Sequence, residues 1–110
     1  MAEKSLGRND ALILILAVLE DAPRHGYDIA REVERRSGDH LTFNDGTLYP
    51  LLHELEAKGF ITSHWEGALG ERQKRVYSIQ APGKKELETK VNAWRKYSQA
   101  VESVLHQVGI

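Results

Sequence analysis

The side chains best able to do metal or acid–base chemistry in this chain are His25, His40, His53, His64 and His106. No two of them stand at ligand spacing, none has an acidic companion in a metal-site pattern, and the chain has no cysteine. Scattered surface histidines are the expectation. There is no glycine-rich phosphate loop and no nucleophile elbow, and Ser, His and Asp occur in no recognisable arrangement. Catalysis, a metal and a cofactor are therefore not expected. What is arranged is positive charge. In GERQKRVY, Arg72, Lys74 and Arg75 stand close together with Glu71 opposing them. Cations so placed attract phosphate oxygens whatever the base sequence, in a salt-sensitive way. An ordinary charged turn protecting an edge strand would read the same. Arg31, Arg35 and Arg36 alternate with Glu32 and Glu34 and read as a solvated helix face.

The whole chain sets bounds on that chemistry. Its 110 residues suit one small domain with a modest core, which favours self-association. The net charge of −1 means that a nucleic-acid surface must come from local clustering. Absence of cysteine fits a reducing compartment. MAEKSLGRND has no apolar run, and Ala11 to Leu19 is too short to span a bilayer. A soluble, cytoplasmic protein with no membrane partner is expected.

The elements that would position the cations follow from periodicity. Asn9 and Asp10 are capping types ahead of ALILILAVLEDA, which reads as a buried helix ended by Pro23. A second helix over HGYDIAREVERRSG places Tyr27, Ile29, Ala30 and Val33 on one side and stops at Gly38. Asn44 or Asp45 caps a third helix that ends at Gly59. FITSHWEG and RQKRVYSI flank a turn, the pattern of a hairpin with Trp65 packed beneath it. From Lys84 a long helix carries Leu87, Val91, Trp94, Ser98, Val101, Leu105 and Val108 at heptad spacing. At about 1.5 Å per residue it would reach roughly 40 Å, more than so small a domain covers. A homodimer is expected, these helices packing on each other and on Leu12, Leu16 and Leu19 of the partner.

Three helices followed by a ribbon is the order of a winged helix-turn-helix domain. The fold class is thus mainly α with a small β-hairpin: a DNA-binding domain over residues 1–80 and a C-terminal dimerisation helix over 81–110. In the third helix Leu48, Leu51, Leu52 and Leu55 fall within one arc, while Gly46, Pro50, His53 and Ala57 lie opposite. Such a helix has a packed inner side and a flat outer side suited to the major groove. The DNA-contacting candidates are Asn44, Thr47, Tyr49, Pro50 and His53, with Arg72, Lys74 and Arg75 on the wing. Pro50 cannot donate to the carbonyl of Gly46, so a distorted first turn presenting Thr47 and Tyr49 is expected.

These residues carry a family likeness. HGYDI, GTLYPLLHELEAKGFI, KRVYSI and PGKKEL together resemble the PadR family of transcriptional regulators over nearly the whole chain. The resemblance implies a winged-helix homodimer that represses genes from a palindromic operator and is released by a small effector. It is similar to the short subfamily with a single C-terminal helix. The family usually has Thr where this chain has Gln80, a poor cap, although Pro82 suits a first helical turn. Val76 and Ser78 stand where aromatic and basic residues are common. Multidrug-responsive members use a tryptophan at the place of Trp94, which implies a planar aromatic effector near Trp94, Leu12 and Ser98; simple packing of Trp94 in the dimer is the competing reading. A winged-helix module that binds proteins and a metal-responsive repressor are the alternative functions.

Overall fold

The computed structural model describes residues 4–110. Their order is β1 (Lys4–Ser5), α1 (Arg8–Glu20), β2 (Arg24–His25), α2 (Gly26–Arg36), β3 (Leu41–Thr42), α3 (Asp45–Ala57), β4 (Ile61–Glu66), β5 (Lys74–Ile79) and α4 (Ala81–Leu105). This is a winged helix-turn-helix with a C-terminal helix. None of the helices described is long and apolar enough to cross a membrane.

The core forms around α1, which packs against α2, α4 and β5. Ala11, Leu12, Ile15, Leu16, Val18 and Leu19 are buried, while Ile13, Leu14 and Ala17 on its other side are half-buried. This corrects the expected dimer contacts. Leu12, Leu16 and Leu19 are 5%, 0% and 2% exposed within their own chain, and so cannot receive a partner. A helix apolar on every side carries no periodic signal for which side turns inward. The helix also begins a turn earlier than expected. Gly7 is its N-cap, without a side-chain hydrogen bond, and Asn9 and Asp10 lie inside the first turn.

Both α2 and α3 end by the same device. Gly38 at φ 61° and Gly59 at φ 76° take the left-handed conformation that glycine adopts without a Cβ clash. The amide of Gly38 donates to the Arg35 carbonyl and that of Asp39 to Glu34; after α3, Gly59 donates to Glu56 and Phe60 to Leu55. These paired bonds satisfy the last carbonyls of each helix. On α3, Leu48, Leu51, Leu52 and Leu55 are all buried, as the periodicity predicts. Each contributes roughly 1.5–3 kcal/mol by leaving water.

The wing gains a third strand that the sequence does not announce. β5 pairs antiparallel with β4 on one side and with β2 on the other, Arg24 opposite Tyr77 and His25 opposite Val76. β1 and β3 form a separate short parallel pair. Trp65 is 60% exposed and does not lie under the hairpin, because its face of β4 has already left the core beyond Ser63.

The start of α4 is locked to the turn between α3 and β4. The amide of Gln80 donates to the carbonyl of Phe60 at 2.9 Å, and Gly83 is so close that a Cβ would sit 2.1 Å from that same oxygen. As its residue type predicts, Gln80 offers no side-chain cap, and a proline occupies the first turn. Leu87 and Val91 reach the core. Beyond them α4 leaves the body, giving a molecule 61 Å long and 34 Å wide. Val108 lies past its end.

Candidate nucleic-acid interface

The turn into α3 is set by Asn44. Its Oδ1 accepts the Thr47 amide at 2.8 Å, and its extended backbone starts the helix. A cap of this kind stabilises the first turn by about 1 kcal/mol. The side-chain oxygen of Asn44 is thereby used within the chain, although the residue itself is exposed. From there the helix runs unbroken through Pro50 to Ala57. Pro50 therefore interrupts a hydrogen bond to the Gly46 carbonyl without ending the helix.

The outer side of α3 is open. Gly46, Pro50, His53 and Ala57 are exposed, Thr47 is half-buried, and Tyr49 is 40% exposed. Tyr49 is positioned by α2. Its ring lies over Gly26, whose missing Cβ would stand 3.1 Å from Cε1 of the phenol. Glu54, flanking the outer face, is drawn into pairs with Arg8 of α1 and Lys58. The hydrogen bond from Arg8 is the main cause that holds its carboxyl down at about 2.

The wing cations divide into two kinds. Arg72 and Lys74 are exposed, and neither makes an ion pair among the described residues. Lys74 stands opposite Glu66, which is engaged by His64 at 2.9 Å. Arg75 is held instead. Its Nε donates to Ser63 Oγ at 2.7 Å, a terminal nitrogen lies 3.4 Å from Glu56 of α3, and its guanidinium covers the Trp65 ring.

Between α2, α3 and the wing lies a cleft of about 390 Å³ that brings Tyr27, Tyr49, Arg72 and Lys74 together. Tyr27 belongs to it although the sequence suggests the packed side of α2. It is 63% exposed because, two residues before buried Ile29, it points the opposite way around the helix. Arg31, one turn on, stacks over the Tyr27 ring at 5.3 Å and donates to its hydroxyl at 3.1 Å. Only Arg35 and Arg36 make the expected intrahelical pairs, both with Glu32. Those bonds, Arg35 first, lower the Glu32 carboxyl to about 2.

The effector candidates separate as well. Trp94 is 52% exposed beside an apolar cleft of about 390 Å³ that includes Ile13, Leu14, Ala17 and Val91. Leu12 is turned into the core, and Ser98, half-buried a turn further along α4, does not line this cleft. The neighbouring residues on α1 were missed because the apolar run offers no register. Among the described residues no group of His, Asp and Glu is placed to hold a metal ion.

Comparison with known proteins extends this picture. Residues 15–89 match the family described as Transcriptional regulator PadR-like family. An uncharacterized protein from Lysinibacillus sphaericus is 27% identical over 87% of this chain and 86% of its own length. An uncharacterized 37.1 kDa protein in transposon TN4556 of Streptomyces fradiae is 33% identical over 84% of this chain, which spans only 25% of that protein. Among solved structures, a PadR family transcription regulator from Clostridium difficile is 30% identical, with a TM-score of 0.75 over 86% of this chain and 97% of that one.

Proposed function

The chain belongs to the PadR-like family of transcriptional regulators, DNA-binding proteins of winged-helix fold, and from that premise we propose that it is a cytoplasmic repressor. It acts as a homodimer on a palindromic operator and leaves it when a small planar aromatic effector binds. The observation that carries this reading is the uncovered distal half of α4. Trp94, Tyr97, Val101, Val104 and Leu105 are between 39% and 74% exposed. A helix with so much apolar surface beyond its own domain is stabilised by a second copy. Residues 81–110 then form the dimerisation element and residues 1–80 the DNA-binding domain, the arrangement of the short subfamily.

In such a dimer the two α3 helices enter successive major grooves, about 34 Å apart. Thr47, Tyr49, Pro50 and His53 face base edges, with the Asn44 amide at the helix mouth. Arg72 and Lys74 meet phosphates from the wing. The effector sits against Trp94 where α4 meets Ile13, Leu14 and Ala17 of α1.

Selection of bound duplexes from a random library tests the first part. An inverted repeat with half-sites one turn apart is expected; enrichment of a single unpaired half-site, or of nothing, overturns it. For the effector, a Trp65→Phe variant leaves Trp94 as the sole tryptophan. Planar drugs or phenolic acids should quench its emission and release the operator. If neither changes, the effector assignment fails.

A further inference from the structure

Arg75 occupies the point where the wing leaves the body of the protein. It shares a face of the hairpin with Tyr77, which is buried, and Trp65, which is exposed. At that junction one hydroxyl joins three elements. Ser63 Oγ on β4 accepts from Arg75 Nε of β5 at 2.7 Å and donates to Glu56 Oε2 of α3 at 2.6 Å. The Arg75 guanidinium closes the triangle on Glu56 at 3.4 Å and lies 5.4 Å from the centre of the Trp65 ring.

We propose that Arg75 is a positioning residue that fixes the angle of the wing to α3, rather than one of the wing's phosphate contacts. Three features require this. Its Nε is held by Ser63 and one terminal nitrogen lies 3.4 Å from Glu56, so a phosphate would have to compete with that carboxylate for the charge. Glu56 sits on the last turn of the helix that reads the groove, so the bond spans the two surfaces that must engage DNA together. Lys74, next in the strand and on its opposite face, is unpaired among the described residues and remains, with Arg72, available to phosphate. The proposal rests on the DNA-binding reading and deepens it.

The sign of one substitution separates the two roles. If Arg75 contacts phosphate, Glu56→Gln frees it, removes a negative charge and tightens binding. As a positioning pair, Glu56→Gln and Arg75→Gln each weaken binding to a selected operator, by roughly three- to tenfold, and the double variant is no weaker than either. The salt slope gives a second readout. Lys74→Gln should lower it by about one, while Arg75→Gln should leave it unchanged. Thermal midpoints identify variants with damaged folds. In a Trp94→Phe background, Trp65 emission should change with Glu56→Gln as the stack loosens. Tighter binding by Glu56→Gln, a salt slope reduced by Arg75→Gln, or unchanged Trp65 emission overturns the proposal. Absence of duplex binding by the wild-type protein at low salt would instead remove the DNA-binding reading itself.

Discussion

The phenol of Tyr49 on α3 rests directly over Gly26 at the start of α2, close enough that a Cβ at Gly26 would stand 3.3 Å from its hydroxyl. The two helices of the helix-turn-helix thus meet at an outward-facing side chain. Gly26→Ala should push Tyr49 aside and weaken operator binding by about tenfold, the order of one lost base contact. Stability should hardly change, because Tyr49 is partly exposed and can yield. Anisotropy titration beside a thermal melt checks this; wild-type affinity would separate Tyr49 from recognition.

Gly83 presents the opposite case. A Cβ there would stand 2.1 Å from the backbone oxygen of Phe60, to which the amide of Gln80 is also bonded. Backbone cannot swing away as a side chain can. Gly83→Ala should cost about 3 kcal/mol and lower the melting midpoint by roughly 10 °C or more. A melt within about 2 °C of wild type would show that α4 can slide on the wing at little cost.

Base and phosphate roles should separate by sequence dependence. His53→Ala and Tyr49→Ala should weaken a selected operator by about 1–3 kcal/mol each and relax preference at particular positions. Lys74→Ala should weaken all duplexes alike. A changed sequence preference in Lys74→Ala alone would refute this division.

The apolar stripe on α4 predicts a dimer broken from its far end. Val101→Glu with Leu105→Glu should give a folded monomer by light scattering, since the residues of α4 that reach the core are Leu87 and Val91. A wild-type chain that is already monomeric at micromolar concentration rules out the dimer.

Acid should weaken the fold in a defined window. The carboxyls of Glu54 and Glu32 lie near 2, below their ordinary 4.5, chiefly through hydrogen bonds from Arg8 and from Arg35. A group whose pKa is lower when folded stabilises above its unfolded value and loses that contribution as pH falls through the folded value. Stability should therefore decline from about pH 4.5 towards 2. Denaturant midpoints across that range should fall less steeply in Glu54→Gln; parallel curves would show that the pair with Arg8 contributes nothing.

Much of this was legible because it is local. The four leucines of α3 recur at helical spacing, Gly38 and Gly59 mark the left-handed stops, and β-branched and aromatic residues on either side of a turn give β4 and β5. Asn44 is a cap by residue type and proves to be one. Each of these depends on neighbours within a few residues, so the order of types is enough.

The residue order alone was enough for the four helices and the β4–β5 hairpin, for the buried and open sides of α3, and for the family likeness in GTLYP and KRVYSI. Tertiary structure alone decided where non-neighbours meet. It turned Leu12 inward and left Ile13 and Leu14 beside Trp94, because an all-apolar helix takes its orientation from what packs on it. It brought β2 to the far edge of β5, put Tyr27 into the cleft with Tyr49, and drew Arg75 from a run of cations into a bond with Glu56, nineteen positions away. Pairings of that kind depend on distances through space, and the free energy of one partner is not written in the residues beside the other.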